Sequence, residues 1–173
     1  ARCAFRGAVA GGGIVMTAET IHATCVAFDD AGILLRGASG AGKSDLALRL
    51  IEAGAVLVAD DRVRLTPRAG VVTASPPDEL AGLLELRGLG LVRLPILTEA
   101  PICLVADLVS SGAPGRLPEP QWCTLSGARI RRVDIAPLEQ TAVAKLRIAA
   151  YDASGRTDPV TGARRHDRDA PLE

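Results

Sequence analysis

Apolar residues come in short blocks along this chain, and the spacing inside each block assigns an element. Ile21 to Phe28 (IHATCVAF) is strand-like, and Asp29-Asp30-Ala31-Gly32 is a turn. Ile33 to Arg36 is a short apolar strand that runs straight into a glycine-rich loop. From Ser44 to Ala53 the period changes: Leu46, Ala47, Leu50 and Ile51 share one face of a helix, and Gly54 stops it. Ala55 to Ala59 (AVLVA) is a fully apolar strand ending in Asp60-Asp61. Arg62 to Thr66 continues as a strand, Pro67-Arg68-Ala69-Gly70 turns it, and Val71 to Thr73 follows. Pro76-Pro77 breaks the chain. Leu83 to Arg87 and Leu89 to Leu94 surround Gly88 and Gly90, and Ile102 to Leu108 (ICLVADL) is a buried strand. Residues 110–120 form a Gly/Pro/Ser loop, Arg129 to Ile135 a strand and Thr141 to Tyr151 a helix.

There is no internal repeat, and the pattern predicts one α/β domain over residues 16–152. Residues 153–173 are polar and charged and are expected to be a poorly ordered tail. Met16 is the only methionine, and the stretch from it reads like a natural protein start, so residues 1–15 are expected to be a leader or a non-native extension.

Composition narrows the picture. A chain of 173 residues suits one ordinary domain with one core. Aromatics are only 2%, so that core is packed from Val, Leu, Ile and Ala, which favours layered α/β packing. Lys+Arg and Asp+Glu both number 20, leaving no global basic field to gather nucleic acid or an anionic membrane. Phosphate binding must therefore be local. Cys3, Cys25, Cys103 and Cys123 have no CxxC spacing, which argues against a zinc site or a disulfide framework. No apolar run reaches the roughly 18 residues needed to span a bilayer.

Candidate chemistry is concentrated early in the chain. Gly37, Ala38, Ser39, Gly40, Ala41, Gly42, Lys43 and Ser44 satisfy G-x-x-x-x-G-K-[ST] in full, between an apolar strand and an amphipathic helix. Glycines let successive backbone N–H groups point at phosphate oxygens, and the helix start adds partial positive charge. The motif assigns Lys43 to the β- and γ-phosphates of ATP and Ser44 to Mg²⁺. Asp60 and Asp61, at the exit of the following strand, lie across from the phosphates and can divide metal contact from proton transfer. The chain lacks the [NT]KxD motif of a small GTPase and is short for a motor or transporter ATPase, which leaves a kinase as the expectation.

Taken together, His22, the run GASGAGKSDLALRLIEAGAVLVADDRV and the run LLELRGLGLVRLP resemble the C-terminal catalytic domain of HPr kinase/phosphorylase. The phosphate loop, the Ala-Asp-Asp strand exit and the E-x-R-G-L-G block occur in that family's order, closely over 21–95 and more loosely over 96–150. The resemblance implies a P-loop α/β fold of the HPr kinase and phosphoenolpyruvate carboxykinase type, a mixed sheet with flanking helices. It implies an ATP- and Mg²⁺-dependent cytoplasmic kinase acting on a serine of an HPr-like phosphocarrier in phosphotransferase-system regulation, and possible assembly as the family's hexamer. It further implies that Ser44 and Glu85 hold Mg²⁺, that Asp61 accepts the proton in phosphorylation and donates it in the reverse direction with Asp60 beside it, that His22 orients the aspartate pair or tunes its pKa, and that Arg87 belongs to the signature region at the site. Without the resemblance, His22 reads as a half-buried structural histidine, and Glu85 with Arg87 as a solvated pair.

Two departures qualify the resemblance. Only 20 residues precede the first strand here, and the family's N-terminal regulatory domain is therefore expected to be absent. The family's late Gly-Arg-Asn stretch is missing, its arginine falling near Gln140, which puts phosphorolysis in doubt and leaves kinase activity as the expectation. Lys145 and Arg147 are nearby cations that either substitute for that arginine or sit on a helix surface. The competing expectations are an ATP-binding regulatory module with little turnover and a small-molecule kinase on the same scaffold.

Overall fold

The computed structural model describes residues 17–110 and 119–163; the expected leader, most of the 110–120 loop and the last ten residues lie outside them. Among the described residues, eleven strands and two α-helices follow one another: β1 Glu19–His22, β2 Thr24–Phe28, β3 Ala31–Arg36, α1 Lys43–Glu52, β4 Val56–Ala59, β5 Arg62–Arg68, β6 Val71–Ser75, β7 Leu83–Leu86, β8 Gly90–Arg93, β9 Ala100–Leu108, β10 Gln121–Leu125, β11 Ala128–Ile135 and α2 Ala142–Ala153. Nine strands form one mixed sheet in the order β1-β5-β6-β9-β3-β2-β4, with β11 also on β9 and β10 beyond β11; β7 and β8 form a separate hairpin.

Strand β9 is where the sheet branches. Its start, Ala100 and Pro101, pairs antiparallel with β6. Its end, Leu104 to Leu108, pairs parallel with β11. Its other edge pairs parallel with β3. The β1-β5-β6 layer therefore curls across one face of the central strands. This explains why the central blocks are apolar without alternation: both faces are buried. Ile33, Leu35, Leu104 and Ala106 join Leu46 and Leu50 of α1 and Leu146 and Ala150 of α2 in one core. Leu34 and Val105 point the other way, onto Val63, Leu65, Val72 and Ala74. Both helices thus cover the same face, and strands cover the opposite one.

The structure departs from the sequence expectations in identifiable places. The single strand expected over 21–28 is two: the chain changes partner at buried Ala23, so β1 lies on β5 while β2 inserts between β3 and β4. Strand β5 runs through Pro67 instead of turning there. Pairing with β1 ends at Leu65, so the missing N–H of Pro67 costs no ladder bond. The turn falls at Ala69 and Gly70, both with positive φ (49° and 80°), as a two-residue hairpin requires. Strand β10 was not anticipated; it is held by a similar hairpin at Ser126 and Gly127. Cys25, Cys103 and Cys123 form no disulfide with one another, and Cys3 lies outside the described residues. Among the described residues no helix is long and apolar enough to cross a membrane.

Residues 154–163 also differ from the expected polar tail, because they pack back against α2. Asp158 is fully buried and accepts hydrogen bonds from Arg147 Nε (2.8 Å) and from the amides of Val160 (2.7 Å) and Thr161 (3.1 Å). Burial works against its charge, but Arg147 and the two amides outweigh burial and hold the carboxyl below its ordinary value of 3.8. A depressed carboxyl stabilises the fold above the unfolded value and loses that contribution as pH falls through the folded one. Asp158→Ala should cost about 3 kcal/mol at neutral pH, the lower end for a broken buried ion pair because Arg147 can reach water. In denaturant titrations the gap between variant and wild type should stay constant above pH 5 and close below about pH 4. A gap that persists unchanged into acid would show that the carboxylate charge contributes nothing.

Candidate active site

Strands β3 and β4 are both antiparallel to β2, so they point the same way, and their C-terminal ends lie at one edge of the sheet. From β3 the chain enters the glycine-rich loop and then α1. From β4 it enters Asp60-Asp61. Between them, at the start of β2, stands Thr24, opposite Leu35 of β3. The loop start is anchored by Arg36, whose Nε and Nη2 donate to the two carboxylate oxygens of Asp107 (2.7 and 2.8 Å). Arg132 Nε donates to the same carboxylate at 2.5 Å. Partial burial opposes the Asp107 charge, but these two guanidinium groups hold the carboxyl below its ordinary range.

The loop is shaped by Gly40 and Gly42, at φ of 78° and 89°, where an L side chain would be strained. Gly42 caps α1 without a side-chain hydrogen bond, so the first-turn amides remain available to a ligand. Lys43 is only 7% exposed. Its ammonium folds back over the loop and donates to the carbonyls of Gly37 (2.9 Å) and Ala38 (3.0 Å).

The two aspartates are placed quite differently. Asp60 is 6% exposed and its carboxylate is saturated. Oδ1 accepts from Thr24 Oγ1 at 2.6 Å, Ser44 Oγ lies 3.2 and 3.3 Å from the two oxygens, and Oδ2 accepts from the amide of Glu85 at 3.2 Å. Asp61 adopts a left-handed φ of 62°, and Arg62 N donates across it to Asp60 O at 2.7 Å, closing a three-residue turn. That turn ejects the Asp61 side chain from the strand, leaving it 63% exposed. His22 Nδ1 sits 3.1 Å from both the carbonyl oxygen and Oδ1 of Asp61.

An open cleft of about 210 Å³ gathers His22, Ser39, Gly40, Gly42, Lys43, Ser44, Asp45, Asp60, Asp61, Glu85 and Arg87. Arg87, from the turn after β7, reaches over from the opposite wall to the neighbourhood of Gly40. Of the residues singled out in the sequence, Gly37, Ala38 and Ala41 do not line the cleft; the first two hold Lys43 instead. Gln140 is not among the lining residues. Lys145 is engaged with Glu139 and Arg147 with Asp158, so both cations considered as substitutes for the missing arginine are tied elsewhere. Thr24 and Asp45 were not picked out. Thr24 sits in an apolar strand and gives no local signal.

Four acidic side chains (Asp45, Asp60, Asp61, Glu85) line the cleft against two basic ones, Lys43 and Arg87. A polyphosphate entering such a site needs a divalent cation to balance the charge. No group of three or more His, Cys, Asp or Glu side chains is arranged to hold a metal among the described residues. The available oxygens of Ser44 and Glu85 instead suit Mg²⁺, which takes one or two protein ligands and completes its shell with water and phosphate.

Residues 14–97 match the family model described as HPr Serine kinase C-terminal domain. HPr kinase/phosphorylase of Bordetella pertussis is 49% identical over 76 residues, 43% of this chain and 25% of that protein. The protein of the same name from a Geobacillus species is 40% identical over 96 residues, 51% of this chain and 31% of that protein. The chain thus spans only about a quarter to a third of these relatives. A solved structure, the Hpr(Ser) kinase/phosphatase from Coxiella burnetii, superposes with a TM-score of 0.62 at 24% identity, covering 74% of this chain and 91% of that one. It shares the mixed α/β fold described above.

Proposed function

We infer, from the match of residues 14–97 to the HPr serine kinase C-terminal domain model, that the chain transfers the γ-phosphoryl group of ATP to a serine of an HPr-like phosphocarrier. The observation that carries this reading is the division between the aspartates. Asp60 is buried and holds hydrogen bonds from Thr24 and the Glu85 amide, whereas Asp61 is exposed beside His22. A site that only bound nucleotide would have no use for a carboxylate presented in this way.

The residues then take definite roles. Amides of the 37–42 P-loop and of the first turn of α1 cradle the phosphates. Lys43 exchanges the Gly37 and Ala38 carbonyls for β- and γ-phosphate oxygens. Ser44 and Glu85 would hold Mg²⁺, which supplies charge neutralisation across the phosphates. Arg87 faces the loop from the far wall, where it meets charge developing on the transferred group. Asp61 accepts the serine proton as the Ser O–P bond forms and the β,γ-bridging P–O bond breaks, the electron pair leaving with ADP. His22 holds the Asp61 carboxylate at its working angle. Two exposed leucines, Leu89 (73%) and Leu91 (69%), sit on the β7–β8 hairpin that also carries Arg87. They offer apolar contact to a protein acceptor, which favours a phosphocarrier over a small molecule. The proposed setting is cytoplasmic, where ATP and such carriers meet.

The test is incubation of the protein with ATP, Mg²⁺ and candidate phosphocarriers, followed by intact mass. One added phosphoryl group on a carrier serine supports the reading. Tight ATP binding without transfer to any carrier would favour the regulatory module. Glu85→Gln should raise the Mg²⁺ concentration for half-maximal nucleotide binding by about tenfold. An unchanged Mg²⁺ titration would remove Glu85 from the metal's surroundings.

A further inference from the structure

We propose that Thr24 is a positioning residue that sets how tightly divalent cation and nucleotide are coupled in this cleft. Its hydroxyl aligns Asp60, and Asp60 in turn orients Ser44. The proposal rests on the phosphoryl-transfer reading above and extends it to a residue outside the recognisable motifs.

Thr24 is fully buried in β2, among apolar neighbours that include Ala23 and Cys25. Valine would fill the same volume. A hydroxyl in such a place is costly unless its proton finds an acceptor. Its proton goes to Asp60 Oδ1 at 2.6 Å, the shortest hydrogen bond that carboxylate receives. Threonine is stiff about χ1, so the donor direction is fixed by the strand. β2 is itself clamped between β3 and β4, the two strands that deliver the loop and the aspartates. Thr24 therefore transmits the sheet's rigidity to one carboxylate.

The consequence lies at Ser44. Its Oγ lies 3.2 and 3.3 Å from the two Asp60 oxygens. A hydroxyl whose proton is directed to Asp60 turns its lone pairs toward the cleft, where a cation would meet them. The Glu85 amide completes the set by donating to Oδ2, which ties the far wall to the same carboxylate. With Thr24 removed, Asp60 keeps only the two longer contacts and can rotate. Ser44 then loses its fixed acceptor.

The experiment compares Thr24→Val, which keeps the shape and removes the hydroxyl, with Thr24→Ser, which keeps the hydroxyl. ATP affinity is measured by calorimetry with and without Mg²⁺, beside thermal melting and single-turnover transfer. Thr24→Val should weaken ATP binding about tenfold with Mg²⁺ present. It should leave metal-free ATP binding within twofold of wild type, and slow transfer without displacing the melting transition in proportion. Thr24→Ser should restore most of the Mg²⁺ coupling. Unchanged coupling in Thr24→Val overturns the proposal. So does a Ser variant as impaired as Val, or a parallel loss of metal-free binding, each of which indicates a packing role. If wild type phosphorylates no carrier, the kinase reading fails separately, and the binding comparison between the Val and Ser variants still decides the role of Thr24.

Discussion

Lys43→Ala should reduce phosphoryl transfer by at least about 10³-fold, the upper range for removing one preorganised electrostatic donor from a reacting centre. The side chain is nearly buried, and its ammonium rests on the carbonyls of Gly37 and Ala38. It is therefore already desolvated and already at the mouth of the loop. Moving it onto phosphate oxygens exchanges two neutral acceptors for charged ones at little reorganisation. Alanine removes the charge and also leaves the two carbonyls without their donor, so the loop loses its ligand-free shape. Single-turnover transfer should fall far more than ATP affinity, because charge on the γ-phosphoryl oxygens grows as the reaction proceeds. Near-normal turnover in this variant would be incompatible with the proposed kinase.

Asp61→Asn should cut transfer by roughly 10²–10⁴-fold while leaving ATP binding within a few-fold of wild type, as expected for a positioned general base. The amide keeps the shape and can still meet His22 Nδ1, which lies 3.1 Å away, so orientation is preserved while proton acceptance is lost. The neighbouring substitution should behave differently. Asp60→Asn introduces a donor where Thr24, Ser44 and the Glu85 amide all require an acceptor. It should therefore lower Mg²⁺-dependent nucleotide binding together with transfer, and lower stability as well. Calorimetry beside single-turnover kinetics separates the two patterns. If binding and transfer fall together in Asp61→Asn, or if transfer is normal, Asp61 is not the base.

The contrast between these aspartates marks how far the sequence could be read. The phosphate loop and the helix after it were legible because their determinants are local: glycines at fixed offsets, then a 3.6-residue apolar period. The central strands were legible as apolar blocks for the same reason. What separates Asp60 from Asp61 is not local. One is saturated by a hydroxyl 36 residues earlier in the chain and an amide 25 residues later, and the other is turned outward by a left-handed φ. His22, Glu85 and Arg87 entered the expected site only through family resemblance, since none carries a distinctive local pattern. Strand β10 was missed because Gln121 and Thr124 dilute its apolar character. The segment around Asp158 was read as solvated because composition does not reveal that Arg147 will neutralise a buried carboxylate.

Every residue assigned a chemical role lies between His22 and Arg87, yet β9, the strand onto which β3 is zipped, begins only at Ala100. On a ribosome, the reactive groups would all emerge before the framework that aligns them. Until β9 arrives, β3 has only β2 beside it among its two sheet partners, and the edge that later receives the Arg36–Asp107 anchor stands open. Pairings of such large sequence separation close late and slowly. A nascent chain halted before β9 would therefore hold the complete chemical inventory and no working cleft. Nucleotide protection against proteolysis should first become detectable only when synthesis has passed Leu108.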